Sequence, residues 1–268
     1  MNLVLRLLIY IAVGYGVLVL AVFLWQKNMI FFPDRERPSG SNLRTAGLRF
    51  WPDAGENYRG FAGISSPVEA KGTVVVFHGN AGAAWYRNYY VQALTPLGYQ
   101  VVLAEYPGYG GRGGTLGEGE FVEDAKATIK CAHEAFGGPL FLWGESLGCG
   151  VAAAVIPGSP VPVEGMVMVT PWDSLPDLAQ ILYWYLPARW IARDKFDNVG
   201  NLQSFQKPVA ILLAENDEII PGTCSLRLYE SLTAPKKLWV LKNAGHNSWP
   251  TDPGEKWWRE VTEFISTK

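Results

Sequence analysis

The chain has 268 residues and a formal net charge of −2. That length suits one large α/β domain with a substantial core, and the near balance of charge offers neither the basic footprint that nucleic acid requires nor a strong field for steering an ionic substrate. Its 3 cysteines, Cys131, Cys149 and Cys224, lack the even number and short spacing of a disulfide framework or a zinc site.

From the amino terminus, residues 7–25 carry no charge and lie between Arg6 and Lys27. As a helix this run measures about 28 Å, close to the hydrocarbon thickness of a bilayer. It ends in Phe23-Leu24-Trp25, bulky and interfacial rather than small and cleavable, so it reads as a single-pass membrane anchor instead of a removed signal peptide. Basic residues flank it on both sides, which leaves the membrane face of the following domain open. The anchor and its flank occupy residues 1–33, a polar linker 34–42, and the soluble domain 43–268.

Residues 43–51 and 58–65 read as two antiparallel strands. Beyond Gly72 apolar runs recur at 73–77, 100–104, 140–143, 165–169, 209–213 and 237–241, most of them separated by segments of helical length. Such alternation specifies a mostly parallel twisted sheet of about eight strands with helices on both faces. One helix, near 121–136, has Thr115-x-x-Glu118 as a possible capping box and places His133 on a solvent face. Residues 171–207 interrupt the alternation as a small cap insertion. Its aromatics Tyr183, Trp184 and Trp190 are candidates for a substrate pocket or, equally, for anchoring the insertion.

The run 140–143 leads into Gly144-Glu145-Ser146-Leu147-Gly148 and then a small-residue helix. This strand, turn and helix around G-x-S-x-G form a nucleophile elbow, in which a strained turn presents Ser146 at the sheet's C-terminal edge. Cys149 behind it packs as a small apolar residue. A serine hydroxyl needs a base, and the chain has 3 histidines. His133 sits on a polar helix face and His78 in an H-G turn that shapes an oxyanion hole; His246, in the loop after the last strand, remains as the base. Asp217, on a loop after a strand and ahead of His246, completes the chain order Ser, Asp, His, with Asp173 as the alternative acid. Backbone N–H groups of Asn80 and Leu147 are the expected oxyanion donors.

Taken together, Phe31-Phe32-Pro33, Phe77-His-Gly-Asn-Ala-Gly82, Tyr106-Pro-Gly-Tyr-Gly110, Gly144-Glu-Ser-Leu-Gly148, Lys195-Phe-Asp-Asn198, Asp217 before Ile219-Ile220-Pro221, and Ala244-Gly-His246 resemble the α/β-hydrolase superfamily. Nearer still, the chain is similar to membrane-anchored serine hydrolases of the α/β-hydrolase-domain type and their bacterial relatives. The resemblance implies the fold over nearly the whole chain, hydrolysis of esters, thioesters or lipids, the nucleophile at Ser146, the acid at Asp217 and the base at His246, with no cofactor and no metal. Cys149 and Ala214-Glu215 depart from the residues usual at those places. The expected reaction is attack of Ser146 on an acyl carbonyl, then release of the acyl group by water. The expected partners are a small-molecule or lipid acyl substrate and, through the anchor, a membrane. A peptidase or protein-lipid thioesterase on the same fold, and a silent membrane-tethered binding protein, remain the alternatives.

Overall fold

The computed structural model describes residues 3–55 and 57–267, so the first two residues of the expected anchor lie outside the described residues. In chain order its principal elements are α1 (Leu3–Ile30), β1 (Phe32–Pro33), α2 (Gly40–Thr45), β2 (Leu48–Trp51), β3 (Gly60–Gly63), β4 (Gly72–Phe77), β5 (Ala81–Gly82), α3 (Asn88–Leu94), β6 (Tyr99–Ala104) and α4 (Glu118–Phe136). There follow β7 (Leu140–Glu145), α5 (Leu147–Val155), β8 (Gly165–Val169), α6 (Leu175–Leu182), α7 (Ala188–Ile191), α8 (Asn198–Leu202), β9 (Val209–Ala214), α9 (Gly222–Ser231), β10 (Lys236–Leu241) and α10 (Lys256–Ile265).

Eight strands form one sheet in the order β10-β9-β8-β7-β4-β6-β3-β2. Only β2 and β3 run antiparallel to their neighbours; β4, β6, β7, β8, β9 and β10 are parallel. The central strands are buried on both faces, which is why they read as continuous apolar runs. In β4, Val75 and Phe77 join a core shared with α4, α5 and α9. Val74 and Val76 point the other way, into a core shared with α3 and α10. On that second face Trp143, Trp249, Trp257 and Trp258 pack together, the last two stacked with ring centroids 3.8 Å apart. Much of the chain's tryptophan is therefore core. α10 shows the amphipathic logic: Trp257, Trp258, Val261 and Ile265 are buried while Lys256, Arg259, Glu260 and Glu263 face solvent.

Several local expectations differ from what forms. The stretch 43–51 is not one strand, because Ser39 accepts from the Asn42 N–H and starts the short α2, whose Leu43 is buried. The flank that ends the expected anchor is docked on the domain. Phe31 enters the core, and β1 pairs with β5 through Phe32 and Pro33 beside Ala81 and Gly82. The capping box at Thr115 does not form. Gly117 takes the cap position of α4, and the Glu118 carboxylate instead accepts from the Lys195 and Phe196 N–H groups. Asp194 returns the contact by accepting from the Glu118 N–H, so α4 is capped by the insertion rather than by its own sequence. His133 is half-buried, not solvated, and its Nδ1 has no partner among the described residues.

Candidate active site

β7 ends at Glu145, α5 begins at Leu147, and Ser146 between them has φ 51° and ψ −112°. A non-glycine residue with that backbone is strained and persists only where its surroundings hold it. Gly144 and Gly148 show what does so. A Cβ on Gly148 would lie 1.9 Å from the Phe77 carbonyl oxygen, and one on Gly144 would lie 2.5 Å from the Cys149 Cα. Helix and strands thus approach to a distance at which only glycine fits. Cys149 is fully buried and donates to the Val169 carbonyl at 3.3 Å; burial pushes its thiol well above the ordinary range, which suits packing and not nucleophilic chemistry.

The structure brings Ser146, His246 and Asp217 into one line. His246 Nε2 is 3.0 Å from Ser146 Oγ, and its Nδ1 is 2.8 Å from Asp217 Oδ2. The second oxygen of Asp217 accepts the N–H groups of Ile219 at 2.9 Å and Ile220 at 2.7 Å, which orients the carboxylate. A carboxylate only accepts, so Nδ1 carries the proton and Nε2 is left to accept from the serine. Asp173, the alternative acid, is elsewhere: its Oδ2 takes the Arg227 Nε–H at 2.6 Å.

Glu215 and Glu218 matter more than their exposed positions suggested. Glu218 accepts the His246 backbone N–H at 2.9 Å, and Glu215 holds Lys242 and the Asn243 N–H. Those hydrogen bonds lower the carboxyl pKa of both residues, the His246 N–H being the leading cause at Glu218 and Lys242 at Glu215. Sequence leaves both glutamates as solvated or structural loop residues, and these contacts give them a structural part.

The H-G turn is held from several sides. His78 is buried and donates Nδ1–H to the Gly79 carbonyl at 2.7 Å, while its Nε2 faces Glu105 Oε1 at 3.1 Å. In a planar trans peptide the carbonyl and the following N–H point oppositely. Fixing the Gly79 carbonyl on His78 therefore turns the Asn80 N–H away from that ring. The Asn80 carbonyl accepts from the Phe32 N–H and the Tyr109 hydroxyl, and its side-chain amide donates to the Ile30 carbonyl at 2.8 Å. Among the described residues neither the Asn80 nor the Leu147 N–H is taken up by a backbone acceptor. Beside the elbow, Glu145 is gripped by Arg87, Tyr89 and Tyr90.

Asn80, Leu147, Ser146 and His246 all line a cavity of about 520 Å³. Its wall comes from the cap (Leu175, Leu178, Ala179, Leu182, Tyr183, Leu186), from Trp172, from Ile219 and Ile220, and from the last turns of α1 (Val22, Gln26, Met29, Ile30). Of the three cap aromatics considered as pocket residues, Tyr183 lines it. Trp184 and Trp190 do not; they face outward, 79% and 84% exposed, while Leu178, Leu186 and Ala188 beside them are buried against the cavity. The contribution of α1 was not legible in sequence, where the run 7–25 showed only apolar character.

The family described as Serine aminopeptidase, S33 matches residues 68–198. The uncharacterized protein Rv2307c of Mycobacterium tuberculosis is 31% identical over 235 residues, covering 84% of this chain and 83% of that protein. The esterase Pf2001 of Pyrococcus furiosus superposes with a TM-score of 0.65 at 18% identity, covering 88% of this chain and 96% of its own. This chain belongs to the α/β-hydrolase superfamily. Another relative of this α/β-hydrolase is the lysophosphatidylserine lipase ABHD12 of Danio rerio, 27% identical over 254 residues, with 81% of this chain and 66% of the lipase covered. The same lipase from Mus musculus is 29% identical, and this chain spans 46% of its length. The monoacylglycerol lipase of Paleococcus ferrophilus shares the fold, with a TM-score of 0.56 at 24% identity over 75% of this chain and 96% of its own.

Proposed function

We propose that this α/β-hydrolase is a membrane-anchored serine esterase of single-chain lipids. Ser146 attacks the acyl carbonyl, His246 takes its proton and passes it to the leaving alcohol, and Asp217 orients the imidazole and stabilises its cationic form. The Asn80 and Leu147 N–H groups receive the negative charge that develops on the carbonyl oxygen. Water activated by His246 then releases the fatty acid from Ser146, with no metal or cofactor taking part.

The observation that carries the reading is the cavity. It ends on Ser146 and His246, and its wall contains no Asp, Glu, Lys or Arg. Such a wall suits an acyl chain. An aminopeptidase has to recognise a free amine, which calls for a carboxylate, so peptide substrates fit this wall poorly. The lipases and esterases among the relatives support the ester reading. α1 supports the anchor: among the described residues it is the helix long and apolar enough to cross a membrane, and its last turns are built into the cavity, which argues against its removal.

Labelling by a fluorophosphonate probe tests the proposal. The wild-type protein reacts, Ser146→Ala and His246→Ala of matched folding do not, and a long-chain monoacyl ester protects Ser146 better than a peptide amide. A folded wild type that stays unlabelled removes the activated serine and brings the binding-protein reading forward.

A further inference from the structure

The cap is more than a cover for the cavity. From residue 178 to residue 188 it carries no charged side chain, and this stretch is bounded by Asp177 and Arg189, which pair with each other at 2.6 Å. Its outward residues are large and apolar, with Ile181, Leu182, Tyr185 and above all Trp184 exposed, and Trp190 is exposed just beyond Arg189. A contiguous exposed patch of this kind marks an interaction surface.

Two further observations identify what covers it. First, the hairpin of α6 and α7 lies along α1. At its base Gln26 donates to the Ile191 carbonyl at 3.2 Å and accepts from the Arg193 N–H at 2.7 Å, while the Arg193 guanidinium sits over the Phe23 ring. At its tip the Tyr15 hydroxyl donates to the Tyr185 carbonyl at 2.9 Å. From Gln26 to Tyr15 the helix rises roughly 16 Å, so the tip stands beside the middle of the charge-free run. Second, the carbonyls of the tip and the Tyr183 and Leu186 N–H groups are satisfied by the protein. Gln180 donates to the Leu186 carbonyl at 2.9 Å and accepts from the Arg189 N–H at 3.2 Å, Tyr183 and Leu186 donate to carbonyls one turn back, and Tyr15 takes the Tyr185 carbonyl. Water would meet these groups unaided. Hydrocarbon would not, and irregular backbone is tolerated there only when the protein satisfies it.

We propose that the α6–α7 hairpin is a second membrane-seated element, inserted beside α1 to the depth of the Trp184 tip, and that the cavity draws its substrate sideways from the lipid past Val22 and Tyr183. The inference rests on the esterase reading above and adds to it a surface and a route. Both Val22, on α1, and Tyr183, at the tip, line the cavity and are themselves partly open to the outside. Arg193 and Lys195 at the base of the hairpin are exposed and placed to meet lipid phosphates.

The test uses the full chain in phosphatidylcholine vesicles with two substrates, a long-chain monoacylglycerol in the bilayer and p-nitrophenyl butyrate in the water. For Trp184→Ser/Trp190→Ser, turnover of the soluble ester stays within about two-fold, whereas hydrolysis of the bilayer substrate falls at least about ten-fold through KM. A nitroxide on Trp184→Cys, in a Cys131→Ser chain, collides with oxygen in the lipid more than with a water-soluble nickel chelate. Parallel loss on both substrates, no loss on either, or a nickel-accessible label overturns the proposal. So does light scattering in detergent that shows the double variant dissociating a wild-type dimer, which assigns the face to a second copy. If the wild type cleaves neither ester, the esterase reading has failed, and the nitroxide still decides the depth of the hairpin.

Discussion

At the scale of single residues, the groups around Ser146, His246 and Asp217 are themselves held by hydrogen bonds from residues outside that line. In the proposed mechanism His78 is a positioning residue, acting through the Gly79 carbonyl and hence through the direction of the Asn80 N–H. His78→Gln is expected to lower kcat about 10- to 100-fold with KM little changed, less than the 10²–10³ that loss of a whole oxyanion donor costs. A variant in which KM rises and kcat holds contradicts that positioning role. Glu218 works on the base in the same indirect way, through the His246 N–H. Its carboxyl is held below the ordinary glutamate value in the folded chain, so the unfolded chain takes up the proton first as pH falls. Its stabilising contribution is therefore complete above the ordinary glutamate range and is lost as pH drops through the lowered value. Thermal midpoints of wild type and Glu218→Gln between pH 7 and 3 measure this. The wild type loses more than the variant on the acid side, and parallel curves remove Glu218 from the account.

At the scale of elements, α1 has two ends with different work. Its first turns are exposed and apolar, while its last turns supply Met29 and Ile30 to the cavity and Lys27 to the Leu116 carbonyl. Met29→Trp narrows the cavity beside α1; under the proposed esterase function the preferred ester chain shortens by several carbons while fluorophosphonate labelling of Ser146 persists, and an unchanged chain-length profile contradicts an acyl group seated against α1. The elements readable in sequence were those whose signal is local. Each central strand announced itself as a buried apolar run, and the elbow as strand, G-x-S-x-G and helix, because close approach at Gly144 and Gly148 admits no other residue. The elements misread were those whose partners lie far along the chain. Glu118 found the Lys195 and Phe196 N–H groups rather than Thr115, and α2 formed where an extended strand was expected because Leu43 has a core to enter. Trp184 and Trp190 were open in sequence between a pocket role and an anchoring role, and their outward direction was not legible because it is decided by the packing of their neighbours.

At the scale of the whole molecule, a parallel sheet gathers loops from distant parts of the chain at one edge. The turn after β4, the elbow after β7, the Asp217 loop after β9 and the His246 loop after β10 all open there. Chain order and strand endings made that convergence legible before any coordinate, and the hydrogen bonds joining Ser146, His246 and Asp217 are its geometric outcome. The contribution of α1 to the cavity was hidden, because nothing in an apolar run tells which of its turns face a cavity. The most direct measurement of the account is turnover of a long-chain monoacylglycerol by the full chain in vesicles, wild type against Ser146→Ala, with the acyl adduct trapped by rapid acid quench and located by mass spectrometry. The account predicts a fatty-acyl group on Ser146 during turnover and a loss of at least about 10⁴-fold in the variant. Hydrolysis that survives in Ser146→Ala, or that proceeds with no acyl group on Ser146, contradicts it.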